Sequence, residues 1–140
     1  MEAIARFQLE MASETEEKRL DTVIVGRGVR AVFGDEDRGR YVVAEQDGDV
    51  VGSLLLTWEW SDWRDGWFWW IQSVYVDPDH RRQGVFRQMY EYVVHQGEGR
   101  PDVRGIRLYV EDTNSQAQAV YSSLGMSHAG YQVFEVEFLA

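Results

Sequence analysis

SVYVDPDHRRQGVFR, residues 73–87, joins the end of an apolar run to the start of an amphipathic one through a polar loop. Pro78 stops the strand, because it has no N–H to give to a ladder. From Phe86, the side chains of Met89, Tyr90, Val93 and Val94 recur at helical spacing, so a helix is predicted from close to Gly84 to near Gly97. A strand, then a loop with Arg and Gly, then a helix start brings free backbone N–H groups and the positive end of a helix dipole to one point, which is how an anion is captured. Gly84 lets the backbone approach closely. Arg81, Arg82 and Arg87 add positive charge. The loop lacks the Gly-Lys-Ser/Thr of a P-loop and the three-glycine dinucleotide fingerprint. Taken alone, it reads equally well as a helix start with surface arginines.

Upstream, YVVAEQ and DVVGSLLLTWEW are β-rich runs separated by Asp47-Gly48, a strong short hairpin signal. A second turn, Ser61 to Gly66, leads into the long strand WFWWIQSVYV, making a three-stranded antiparallel meander. All six tryptophans of the chain lie within residues 58–70, around that second turn. They read either as cross-strand hairpin and core pairs or as the wall of a cavity. Side chains alternate between the faces of a strand, so Trp67 and Trp69 point one way and Trp70 the other, and not all six can share one pocket.

Before the meander, Ile4, Phe7 and Met11 fall on one face of a first helix. Asp21 reads as the N-cap of a second helix that would turn Val25, Val29, Val32 and Phe33 inward. After the helix that follows Gly84, the linker EGRPDV leads to a strand at GIRLYV. A short helix then starts among cap-type residues, buries Ala117, Val120, Tyr121 and Leu124, and stops at Gly125. The tail, YQVFEVEF, alternates and reads as a final strand.

With 140 residues and no repeat or low-complexity segment, the chain is expected to be a single domain, 1–140. No apolar run approaches the roughly 20 residues of a membrane span, and the acidic, amphipathic start does not read as a signal peptide, so a cytoplasmic location without membrane contact is expected. The absence of cysteine excludes a disulfide scaffold, a thiolate zinc site and a cysteine nucleophile, and no metal is called for. A net charge of −10 argues against nucleic acid as a partner. It serves either solubility or the attraction of cations.

Residues 73–87, followed by LYVEDTNSQAQAVYSSLGM at 108–126, resemble the GNAT superfamily of N-acetyltransferases. The family's Gln/Arg-x-x-Gly-x-Gly/Ala is met at Arg81 and Gly84, and its Asn-x-x-Ala-x-x-x-Tyr-x-x-x-Gly-Phe at Asn114, Ala117, Tyr121, Gly125 and Met126. The resemblance runs from about Tyr41 to the C-terminus. Phe86 departs from it, standing where the family has Gly or Ala. The front departs too, since the first helix begins almost at Met1 where the family has an edge strand.

What the resemblance implies is an α/β fold: a mixed, mostly antiparallel sheet, splayed between the strands ending at Val76 and Val110, with helices on both faces and the N-terminal edge strand missing. A homodimer is expected, with the open edge near Tyr41 to Gln46 either covered by the other copy of the chain or blunted by its own charges. The implied activity is transfer of an acetyl group from acetyl-coenzyme A, as cosubstrate, to a primary amine of a small molecule or peptide, preferably cationic. The pyrophosphate would lie on Arg81, Arg82, Gln83, Gly84, Val85, Phe86 and Arg87, with Asn114 also at the cofactor. The pantetheine arm would lie along Val74, Tyr75 and Val76, and the N–H of Val74 or Val76 would meet the developing oxyanion. Tyr121 is the implied acid.

The base stays open between Glu59, Glu111 and a water chain, while His80, His95 and His128 fall on loops or helix surfaces. Trp58 and Trp70 are the preferred walls of the amine pocket, with the Ser13 to Lys18 loop as the alternative acceptor region. Two further classes stand beside the enzyme: a noncatalytic acyl-coenzyme A sensor, and a structural protein associating through the Trp-rich hairpin.

Overall fold

The computed structural model describes residues 1–15 and 19–138. These fall into two compact units that divide after Tyr109. In the first unit, α1 (Glu2–Thr15) and α2 (Thr22–Gly34) precede a meander of β1 (Arg40–Gln46), β2 (Asp49–Ser61) and β3 (Gly66–Val76). A 3-10 turn at Pro78–His80, the helix α3 (Val85–Glu98) and the strand β4 (Val103–Leu108) complete it. The sheet order is β1-β2-β3-β4, antiparallel through the meander and parallel between β3 and β4. The fold is therefore α/β with a mixed sheet flanked by helices. No strand precedes α1 among the described residues, and β1 forms the sheet edge, as the sequence implies.

Local chemistry accounts for these boundaries. Asp47 and Gly48 both take positive φ, 52° and 85°, the backbone signature of a tight hairpin whose twist suits its flanking strands. Asp21 caps α2 by accepting the N–H groups of Val23 and Ile24, at 2.8 and 3.2 Å. On one sheet face Leu54, Leu56, Trp69 and Ile71 bury against Met89 and Val93 of α3, with Val42 beside them. Gly52 makes this seating possible, because a Cβ there would lie 2.9 Å from Val85 Cγ1. Ile4 and Phe7 of α1 are buried as expected, and Phe7 packs on Tyr75 with ring centroids 5.0 Å apart.

Three expectations need correction. Phe33, assigned inward, is 52% exposed; it lies at the last turn of α2, against Tyr41 at 5.4 Å. The strand expected over residues 105–110 instead spans Val103–Leu108. The Arg104 guanidinium ties its start to the β2–β3 turn by donating to the carbonyls of Arg64 and Asp65, about 40 residues away in sequence, and also to the nearby Pro101 carbonyl.

The third correction lies in the second unit. There α4 (Ser115–Ser123) ends in a Schellman arrangement, with Met126 N–H on the Tyr121 carbonyl at 3.1 Å and Gly125 at φ 92°. The tail runs on from it without regular secondary structure through residue 138, so the expected final strand is absent among the described residues. Alternation makes a segment competent for a strand, but the hydrogen bonds must come from a neighbouring ladder that periodicity cannot specify.

Candidate active site

β3 leaves its parallel neighbour partway along. Pairing to β4 ends at Ile71↔Leu108, whereas β3 continues to Val76 paired, among the described residues, with β2 alone. Just beyond that divergence lies a bulge. Gln72 faces Leu55 and Tyr75 faces Ser53, leaving Ser73 and Val74 opposite Leu54, with Ser73 at φ 52°. The backbone of residues 72–76 thus borders the opening between β3 and β4 in a bent, twisted stretch.

The loop after β3 is built from the residues singled out in the sequence. Asp77 accepts the Asp79 N–H at 3.1 Å and sets the 3-10 turn. Arg82 at φ 62° and Gly84 at φ 79° then place two left-handed residues within three. α2 and α4 begin with side-chain caps, but α3 has no side-chain cap at Gly84. The orphan N–H groups that every helix leaves in its first turn therefore face the loop. A Cβ built on Gly84 meets nothing within 4 Å, so the space in front of this helix start is open.

Arg81, expected at the phosphate, has another partner. Its Nη2 donates to Glu14 Oε2 of α1 at 2.9 Å, its Nε donates to the Val76 carbonyl at 2.9 Å, and its guanidinium lies 5.2 Å from the Tyr75 ring centroid. Tyr75 is only 4% exposed and donates its hydroxyl to Glu14 Oε1 at 2.8 Å. The Arg81 hydrogen bond holds the Glu14 carboxyl below its usual range. Burial, reinforced by the Glu14 hydrogen bond, pushes the Tyr75 phenol well up. Glu10, Glu14, Asp77 and Asp79 line the cleft on this α1 side of the loop, which disfavours an anion there. The positive groups left for the α3 side are Arg82 and Arg87, and Arg87 also pairs with Glu91 at 2.9 Å.

The tryptophans divide by strand parity. Trp58 opposes Trp69 and Trp60 opposes Trp67, with ring centroids 5.5 and 5.0 Å apart. Trp58, Trp67 and Trp69 belong to the α3-facing core, and Trp58 Nε1 donates to the Glu36 carbonyl at 2.9 Å. Trp63, at the turn, is 90% exposed. Trp70 is on the opposite face with Glu59, Phe68 and Thr57. Trp58 and Trp70 therefore cannot wall one pocket, and Trp58 drops out of the expected pair.

Around Trp70 the structure assembles a cluster that the sequence reading found only in part. Glu59 Oε1 accepts from Trp70 Nε1 at 3.2 Å and from Arg107 Nη1 at 2.9 Å. The Arg107 guanidinium lies 3.7 Å from the Phe68 ring centroid, and the Tyr109 ring is 4.5 Å from that of Trp70. Gln72 Nε2 donates to Thr57 Oγ1 at 2.6 Å on the same face. Arg107 and Tyr109 were visible as the polar and aromatic alternates of Ile106 and Leu108, but the parallel register Trp70↔Arg107 that brings them to Glu59 was not. Glu14 was missed for a plainer reason: it lies 61 residues from Tyr75 and 67 from Arg81.

In the second unit, Asn114, expected at the cofactor, also serves its own helix. Its Oδ1 accepts the Ala117 N–H at 3.0 Å and caps α4. Tyr121 is half-buried on α4, and burial pushes its phenol up, keeping the proton on the hydroxyl. Of the alternative acceptor region Ser13 to Lys18, residues 13–15 close α1 and residues 16–18 lie outside the described residues. Among the described residues no helix is long and apolar enough to cross a membrane.

Comparison with known proteins agrees with this architecture. A possible acetyltransferase from Clostridium difficile 630 is 42% identical, with a TM-score of 0.92 over 99% of this chain and 91% of that one. An integron cassette protein from the mobile metagenome of Cole Harbour Salt Marsh is 22% identical, with a TM-score of 0.81 over 99% of this chain and 85% of that one, which speaks for the fold alone. The [Ribosomal protein bS18]-alanine N-acetyltransferase of Escherichia coli K12 is 39% identical over 57 residues, a match spanning 41% of this chain and 38% of that protein. Residues 2–126 match the acetyltransferase (GNAT) family, a longer stretch at the front than the Tyr41 start suggested by the motifs. The chain belongs to the GNAT acetyltransferase family.

Proposed function

We propose that the protein moves the acetyl group of acetyl-coenzyme A to the primary amine of a small molecule or peptide. The observation that carries this reading is the continuous path from the open edge of β3 beyond Ile71, through the bulge, to a left-handed loop and a helix start without a side-chain cap. A thioester on a pantetheine arm can hydrogen-bond to the Val74–Val76 backbone as an added strand does, while its pyrophosphate takes the N–H groups at Gly84–Arg87 with the charges of Arg82 and Arg87. The openness in front of Gly84 fits that demand. Phe86 adds bulk beside the path and leaves the backbone cradle in place.

In the reaction we infer, a neutral amine attacks the thioester carbon. The C–N bond forms and the C–S bond breaks, with the electron pair leaving on sulfur. The N–H of Val74 or Val76 stabilises the oxyanion, an interaction typically worth about 3 kcal/mol. Tyr121, assigned by its motif position, gives its proton to the departing thiolate. Glu59 remains our candidate base. Its Oε1 is held by Trp70 and Arg107, so Oε2 is the oxygen assigned to the proton. Trp70 walls the acceptor side, and a ring face attracts ammonium by roughly 0.5–2 kcal/mol.

The net charge of −10 favours a cationic acceptor, and the E. coli relative, an alanine N-acetyltransferase of a ribosomal protein, keeps a peptide N-terminus among the substrates to try. A homodimer through the β1 edge stays part of this proposal. The test is amine-dependent release of thiol from acetyl-coenzyme A across a panel of small and peptide amines. We expect release with at least one class, and Tyr121→Phe to lower kcat at least tenfold while the coenzyme A dissociation constant stays within a few-fold. Binding without any turnover would favour an acyl-coenzyme A sensor.

A further inference from the structure

The proposed reaction makes no use of α1, yet α1 puts a carboxylate into the base of the phosphate loop. Glu14 Oε1 and Oε2 receive the Tyr75 hydroxyl and the Arg81 guanidinium at 2.8 and 2.9 Å. Arg81 in turn clamps the last carbonyl of β3, Val76, at 2.9 Å, and its guanidinium lies 5.2 Å from the Tyr75 ring centroid. Tyr75 is itself packed by Phe7, another α1 residue. Every strong contact of Arg81 therefore points toward α1 and β3, while the two left-handed residues, Arg82 and Gly84, follow within three positions.

We infer that Glu14 is a positioning residue for coenzyme A binding: acting through Arg81, it fixes the exit angle of the 77–84 loop so that the start of α3 faces the pyrophosphate. Three features point this way. The guanidinium is neutralised by a carboxylate, so Arg81 is a poor phosphate ligand and a good strut. Its planar fork satisfies a carbonyl on one element and a carboxylate on another with donors held in fixed relative directions, which a lysine's freely rotating ammonium does not provide. A left-handed Arg82 is a conformation that a free loop would leave, so something adjacent must over-determine it. Among the described residues, the Glu14–Arg81–Val76 chain of contacts is the constraint immediately before it.

This inference rests on the coenzyme A reading, and a double-mutant cycle separates the two. Coenzyme A dissociation constants are measured by calorimetry for the full chain, for Glu14→Ala, for Arg81→Ala and for the double variant, with Gly84→Glu as the cradle control. If Glu14 acts through Arg81, each single change weakens binding about tenfold and the double change is also about tenfold, not a hundredfold, because both remove the same strut. Glu14→Gln, which keeps shape and one acceptor, should recover part of the loss. Melting temperatures without ligand show that each variant is folded.

A direct phosphate role for Arg81 predicts the opposite sign for Glu14→Ala, since a freed cation would tighten binding. Tightening, unchanged affinity, or additive losses in the folded variants would overturn the inference while leaving the coenzyme A reading intact. Failure of the wild-type protein to bind coenzyme A would overturn both.

Discussion

At the scale of single residues, the tryptophan cluster shows how far sequence reasoning reaches and where it stops. Strand alternation alone divided Trp67 and Trp69 from Trp70, and the structure keeps that division. Assigning Trp58 to the Trp70 side failed because the face of β2 depends on its register with β3, which pairs Trp58 with Trp69. The two residues should therefore respond in opposite ways. Trp58→Ala is expected to cost about 3 kcal/mol in denaturant unfolding, from lost packing on Trp69 and a lost hydrogen bond to Glu36, with no change in the KM for an amine once folded. Trp70→Ala should raise that KM several-fold while leaving the KM for acetyl-coenzyme A unchanged. Equal amine KM values in both variants would place the acceptor away from this hairpin. Asn114 was legible in two ways, as a motif position and among the cap-type residues that open α4, and the cap is made by its Oδ1 accepting the Ala117 N–H.

At the scale of elements, the strand-loop-helix order was readable because each boundary carries local chemistry: Pro78 after the strand, Gly84 at the helix start, Gly125 at the end of α4. What could not be read was the pairing among elements: the β3 bulge, the point where β4 departs, and the missing ladder for the tail all depend on partners distant in sequence. The seating of α3 shows the consequence for the proposed site, since the helix that would open the anion cradle rests directly on Gly52 of β2. Gly52→Ala places a Cβ 2.9 Å from Val85 Cγ1 and must push the first turn of α3 outward. We expect a loss of about 1–3 kcal/mol in stability, together with weaker coenzyme A binding, measured by chemical denaturation and calorimetry. Lost stability with unchanged affinity would mean that the loop adapts independently of the helix it precedes.

For the first unit as a whole, the Glu14–Arg81–Tyr75 contacts tie α1 to the end of β3, and pH should expose them. Glu14 has a folded pKa below its ordinary 4.5, so the stability it contributes is present above that value and is lost as pH falls through the lower folded one. Tyr75 has a folded pKa above its ordinary 10.0, so its contribution is full below that value and is lost as pH rises through the folded one. Melting temperature should accordingly hold across the range between these two ordinary values and fall on both sides. Tyr75→Phe should remove the Tyr75 share of the alkaline fall, and an unchanged alkaline limb would assign that fall to other groups.

The central claim is that the open β3 edge and the uncapped start of α3 form a coenzyme A cradle, and calorimetric titration of acetyl-coenzyme A into the wild-type protein and Gly84→Glu tests it most directly. The Gly84 position has room for a side chain, though φ 79° strains any residue other than glycine, so the variant's melting temperature without ligand is measured alongside. The account predicts saturable binding to the wild-type protein and none to the folded variant, whose carboxylate would occupy the phosphate position. No binding to the wild-type protein at millimolar ligand, or equal binding to both, would contradict it.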